Sequence, residues 1–121
     1  MPKVLIVDDS QSALYTLRKL VEQAGHQAVT AESGEQALRL AAEEMPEVIL
    51  MDIVMPGMSG YTATRQLHRS DSTQHIPVIF VSSKSGEADR DWGLRQGARE
   101  YVTKPVNRDA LLTAISAALA A

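Results

Sequence analysis

Three short runs built almost wholly of apolar, mostly branched residues constrain this chain more than any other feature. They lie at residues 4–7 (Val-Leu-Ile-Val), 48–51 (Val-Ile-Leu-Met) and 78–81 (Val-Ile-Phe-Val). Each has strand length and lacks the alternation of a half-exposed strand, so each reads as a strand covered on both faces. Two further segments, 27–31 and 100–103, mix polar and apolar residues and are expected at the edges of the same sheet.

Helical patterns separate the runs. The first places Ala13, Leu14, Leu17, Leu20, Val21 and Ala24 on one face and ends at Gly25, a favourable residue just past a helix. The second opens with Ser33 and Gln36 at capping-box spacing, continues through Ala37, Leu38 and Ala41, and stops at Pro46. A third is expected from Ser59 to about Arg69 and a fourth from about Glu87 to Gln96. The fourth offers Ala88, Trp92 and little else apolar at helical spacing, which predicts loose packing and an adaptable surface. The last, after Asn107, carries Leu111, Leu112, Ile115, Ala118 and Leu119.

Strand and helix therefore alternate five times, with crossover lengths suited to parallel right-handed units. Putting the apolar strands in the centre gives the order 2-1-3-4-5, a flavodoxin-like doubly wound α/β sheet of five parallel strands with five helices. Residues 1–121 are expected to form one domain, since 121 residues with 45% hydrophobic content can bury a core without staples. The absence of cysteine removes thiol chemistry and disulfides, and a net charge of −3 without a basic run argues against nucleic-acid binding. Only four apolar residues precede Asp8, too few for a secretion signal or a membrane span, so a soluble cytoplasmic protein is expected.

In sheets of this order ligands bind beyond the carboxyl ends of strands one and three, where the connections diverge. Asp8 and Asp9 follow the first strand and Asp52 follows the third, so three carboxylates are expected in one crevice. Two carboxylates about 4 Å apart repel by roughly 4 kcal/mol at an effective dielectric of about 20, which makes a cation their natural companion. All-oxygen donors without cysteine, and without a histidine at the strand ends, favour Mg²⁺ over zinc. Structural readings compete: Asp8 or Asp9 as a cap of the first helix, and Asp52 as a carboxylate that merely ends a strand.

Lys104 ends the fifth strand and Ser82 the fourth, on the same rim. Lys104 is either a counter-charge or, together with a metal, a holder of phosphoryl oxygens while Asp52 attacks as nucleophile. Ser82 is either a turn serine or a donor to the attached phosphoryl group. His26, His68 and His75 read as surface or turn residues, and Trp92 as either an interface anchor or a partly buried side chain.

The segments Val4-Leu5-Ile6-Val7-Asp8-Asp9-Ser10, Met51-Asp52-Ile53-Val54-Met55-Pro56-Gly57, Pro77 to Ser82, Gly97-Ala98, Tyr101 and Lys104-Pro105 carry a resemblance over the whole chain. The chain resembles the receiver (CheY-like) domains of bacterial two-component response regulators. The stretch Asp91-Trp92-Gly93-Leu94-Arg95-Gln96-Gly97-Ala98 with Thr103-Lys104-Pro105-Val106 is similar, more narrowly, to small regulators of twitching motility by type IV pili.

That resemblance implies that Asp52 accepts a phosphoryl group from the phosphohistidine of a CheA-like sensor histidine kinase or of a histidine-phosphotransfer domain. It implies a requirement for Mg²⁺, with Asp9 and Asp52 binding the ion directly, Asp8 acting largely through water and Val54 contributing its backbone carbonyl. Lys104 would bind the phosphoryl oxygens, Ser82 occupies the family's threonine or serine position, and Tyr101 the place of its mobile switch residue. The bond from Lys104 to Pro105 is expected to be cis. A monomeric regulator without an effector domain is implied, catalysing only its own phosphorylation and dephosphorylation, with neither nucleic acid nor membrane as partner.

An aspartyl phosphate adds up to about two negative charges and three acceptor oxygens. Ser82 is expected to be drawn inward and the ring of Tyr101 to enter the space it leaves, reshaping the face made by the fourth helix, the fifth strand and the last helix for an unknown output partner. Alternatively the chain drains phosphoryl groups from a shared kinase. Val54 and Lys84 beside the site are expected to govern water access and hence the lifetime of the signal.

Three rival readings fit the residues less well. A Mg²⁺-dependent aspartyl phosphatase of the haloacid-dehalogenase kind carries a second aspartate two positions after a nucleophile on strand one, whereas here Asp8 and Asp9 are adjacent and Ser10 follows. A nucleotide or flavin binder lacks its glycine fingerprint after strand one. A degenerate, purely scaffolding receiver conflicts with the complete set of acidic, hydroxyl and lysine residues.

Overall fold

A computed structural model describes residues 1–120. The elements alternate throughout: β1 (Lys3–Val7), α1 (Gln11–Gln23), β2 (Gln27–Ala31), α2 (Gly34–Glu44), β3 (Val48–Met51), α3 (Gly60–Arg69), β4 (Val78–Ser82), α4 (Glu87–Arg95), β5 (Glu100–Thr103) and α5 (Arg108–Ala120). The five strands pair in parallel in the order β2-β1-β3-β4-β5. This is the flavodoxin-like arrangement expected from the placement of the apolar runs.

Side-chain alternation along each strand divides the core between the two sheet faces. Leu5, Val7, Ile49, Met51 and Phe80 pack with Ala37 and Ala41 of α2 and with Ala63 and Leu67 of α3. Val4, Ile6, Leu50, Ile79 and Val81 pack with Leu14, Leu17 and Val21 of α1 and with Leu111, Ile115 and Ala118 of α5. Every residue of β3 and β4 is buried, which is why those two strands read as continuous apolar runs.

Helix starts follow side-chain chemistry. Ser33 accepts from the Gln36 N–H and Ser59 from the Thr62 N–H, while Asn107 Oδ1 accepts from the Ala110 N–H at 2.9 Å. Gln36 reaches back to the Glu32 N–H at 2.8 Å, one residue earlier than a capping box places it.

Helix α4 departs from the anchors read in the sequence. Trp92 is 51% exposed and Ala88 is also exposed; the one buried residue of the helix is Gly93. Polar pins hold it instead: Arg90 donates to the Tyr101 carbonyl at 3.1 Å and pairs with Glu100 at 3.0 Å, and Arg65 of α3 donates to Gln96 just past its end.

Candidate functional site

Backbone hydrogen bonds that continue past the strand ends set the site. The Asp52 N–H donates to the Val7 carbonyl at 2.9 Å and the Asp8 N–H to the Ala31 carbonyl at 3.1 Å, so both aspartates begin at one level of the sheet. On the other side the Lys104 N–H donates to the Ser82 carbonyl at 2.8 Å. The Lys104–Pro105 peptide is cis.

One carboxylate oxygen from each of Asp8, Asp9 and Asp52 lies within 4.8 Å of the others. Asp8 and Asp52 are buried and Asp9 is exposed at the mouth. Lys104 Nζ approaches Asp8 Oδ2 at 2.7 Å and Asp52 Oδ1 at 3.7 Å. Burial pushes the Asp52 carboxyl up from 3.8 to about 6, with the Asp8 charge adding to the rise while Lys104 and the Ile53 N–H oppose it. Three carboxylates against one ammonium leave an excess of negative charge that a divalent, oxygen-seeking cation would neutralise. The donor set therefore fits Mg²⁺.

The capping reading of Asp8 and Asp9 is overturned. Ser10 caps α1, its Oγ accepting from the Ala13 N–H at 3.3 Å, and Asp8 Oδ1 accepts from the Ser10 N–H at 2.9 Å. With its other oxygen on Lys104, Asp8 has both oxygens engaged by protein groups.

Ser82 is buried, and its Oγ accepts from the Lys84 N–H at 3.1 Å. Tyr101 is 3% exposed and donates its hydroxyl to the Lys84 carbonyl at 2.6 Å, so one residue of the β4–α4 turn holds both side chains. The ring of Tyr101 therefore lies inside, packed under the β4–α4 turn. Burial also raises the Tyr101 phenol above its usual range. Val54 stands 61% exposed in the turn after Asp52, and Lys84 is exposed at the opposite rim.

The histidines stay outside this constellation. His68 Nε2 lies 3.3 Å from the Ile76 carbonyl, His75 is exposed, and His26 is half-buried in the turn after α1. Trp92 combines its two readings: half its surface is open while its ring meets Tyr61 edge-on at 6.4 Å.

Sequence reasoning missed two glycines. A Cβ on Gly60 would collide with the Asp52 carbonyl oxygen and lie 2.9 Å from Ile53 Cα, and one on Gly93 would lie 2.9 Å from Tyr101 Cδ2. A glycine at the start or in the middle of a helical pattern was the available signal, because it weakens the helix unless something needs the room.

Fold and site together are those of a signalling receiver, and the chain belongs to the response regulator receiver domain family, whose pattern matches residues 4–116. It is 52% identical to Protein PilH of Pseudomonas aeruginosa over 120 residues, covering 99% of both chains. It is 38% identical over 105 residues to the response regulator PleD of Caulobacter vibrioides, of whose length the match spans 23%. Among solved structures it superposes with a TM-score of 0.91 and 25% identity on the receiver domain of a sensor histidine kinase from Pseudomonas aeruginosa, covering 99% of this chain and 98% of that one. That structure holds a magnesium ion coordinated in its active site cleft. No helix among the described residues is long and apolar enough to cross a membrane.

Proposed function

We propose that this receiver domain takes a phosphoryl group onto Asp52 from a phosphohistidine and relays that charge to its α4–β5–α5 face. The observation that carries the reading is the convergence of Asp8, Asp9 and Asp52 within 4.8 Å of one another beside the Lys104 ammonium. An oxygen of Asp52 forms the new bond to phosphorus as the phosphorus–nitrogen bond of the donor breaks, and the departing imidazole nitrogen takes a proton from solvent. Asp9, Asp52 and the Val54 carbonyl would hold Mg²⁺ directly, with Asp8 acting through water. When bound, the ion neutralises charge on the phosphoryl oxygens. Lys104 covers another of those oxygens and Ser82 donates to a third.

Chemistry of this kind is confined to the chain's own phosphorylation and dephosphorylation, with a CheA-like histidine kinase or a histidine-phosphotransfer domain as donor. The 52% identity to PilH across nearly the full length supports a place in twitching motility or chemotaxis-like signalling. The reading extends to a monomeric receiver domain acting in the cytoplasm.

Incubation with a small phosphodonor such as acetyl phosphate and Mg²⁺ tests the site. Intact-mass spectrometry should find one added phosphoryl group on the wild-type chain and none on Asp52→Asn. Equal modification of both chains would refute Asp52 as the acceptor.

A further inference from the structure

Helix α4 buries little of itself. Gly93 is its only buried residue, and the space a side chain would fill there is taken by aromatic rings: a Cβ at Gly93 would stand 2.9 Å from Tyr101 Cδ2, 3.0 Å from Tyr101 Cε2 and 3.1 Å from Phe80 Cδ2. The Tyr101 ring cannot easily yield, because its hydroxyl is fixed on the Lys84 carbonyl at 2.6 Å and Phe80 meets it edge-on at 6.4 Å. Phe80 in turn meets Tyr61 at 5.5 Å, and Tyr61 meets the half-exposed Trp92, so the aromatic contacts run from the seat of Tyr101 to the surface of α4.

We propose that Gly93 is a positioning residue for Tyr101: by lacking a Cβ it gives the ring its inward seat whether or not Asp52 is phosphorylated, so the residue at 93 sets the resting state of the α4–β5 face. This deepens the switch reading above and rests on it for its signalling meaning, though not for its geometry. A glycine inside a nine-residue helix weakens that helix. The sign of a substitution therefore separates two explanations. If 93 were merely a helix position, alanine there would strengthen α4. If 93 is the seat of the ring, alanine expels the ring and loosens α4 and β5 together.

The experiment is a two-by-two set on the full chain: wild type, Gly93→Ala, Tyr101→Ala and the double variant. It is followed by thermal unfolding, amide hydrogen exchange over α4 and β5, and Trp92 emission. Expected are a midpoint for Gly93→Ala lower by about 4 °C or more, faster exchange in both elements and a shifted Trp92 emission. In the Tyr101→Ala background the same substitution should leave the midpoint unchanged or raise it. A rise in both backgrounds, or an equal fall in both, overturns the proposal.

Nuclear Overhauser contacts between the wild-type Tyr101 ring and Gly93 Hα supply the second measurement, taken before and after beryllofluoride with Mg²⁺. Contacts present before addition are expected, and contacts appearing only afterwards overturn the seat. Failure of beryllofluoride to bind at all would count against the phosphoacceptor reading, leaving the Gly93–Tyr101 result to be judged on the two-by-two set.

Discussion

Lys104 Nζ lies 2.7 Å from Asp8 Oδ2 across 96 residues of sequence, a full ångström closer than to Asp52 Oδ1 at 3.7 Å. The ammonium is thus committed first to the most buried carboxylate and leaves Asp52 less well compensated. Replacing it with an apolar chain of similar length exposes the repulsion it hides. Lys104→Met is expected to lower stability near neutral pH by about 2 kcal/mol, below the range for fully buried pairs because Lys104 is 25% exposed. Urea unfolding with and without Mg²⁺ checks this: part of the loss should return when the ion is added. Phosphorylation of the variant by a small donor should also slow markedly, read by intact mass against time.

The raised Asp52 carboxyl makes stability depend on pH with a defined sign. Between 3.8 and about 6 the folded chain holds a proton that the unfolded chain has released, so stability falls as pH climbs through that window. The penalty is present in full above the folded value and absent below the unfolded one. A divalent cation should offset it only where Asp52 is ionised. Added Mg²⁺ is therefore expected to raise the melting temperature at about pH 7.5 and to have little effect near pH 4. An equal rise at both would contradict the assignment.

What could be read in advance follows a physical division. Runs such as 48–51 and 78–81 announce themselves because a parallel strand buried on both faces tolerates nothing polar, and their order then fixes where Asp8, Asp52, Ser82 and Lys104 must emerge. Ser10 as the true cap of α1 was not separable from Asp8 and Asp9, since all three residue types cap helices and the choice depends on which backbone N–H groups turn back. The anchoring of α4 was also hidden. Periodicity searches look for large apolar side chains, and the contact of α4 with the core is made by a residue that has none.

Val54 stands in the turn after Asp52 with 61% of its surface exposed, so its side chain meets solvent rather than the core. Val54→Asn places a polar amide where an apolar group now limits water. The half-life of the phosphorylated chain is expected to shorten several-fold, while Mg²⁺ affinity stays nearly constant because the ligand proposed at this position is the backbone carbonyl. Decay of the phosphorylated mass over time and Mg²⁺ titration by calorimetry check the two halves. An unchanged half-life would refute the role of Val54.

Gly60 begins α3 directly beside the Asp52 backbone, its N–H donating to the Ile53 carbonyl at 2.8 Å. A Cβ there would run into the Asp52 carbonyl oxygen, with Ile53 Cα only 2.9 Å away, and both obstacles are backbone rather than movable side-chain ends. Either α3 must retreat or the turn carrying Asp52 must shift. Gly60→Ala is expected to cost about 1–3 kcal/mol in urea unfolding, the range for overpacking in a tight core. The turn's displacement should also reach the carboxylate cluster, because Asp52 Oδ1 is held by the adjacent Ile53 N–H at 3.0 Å. Phosphorylation rate and Mg²⁺ affinity are therefore expected to fall together in this variant, measured under conditions where it remains fully folded. Loss of stability with both site properties intact would mean that Gly60 serves packing alone.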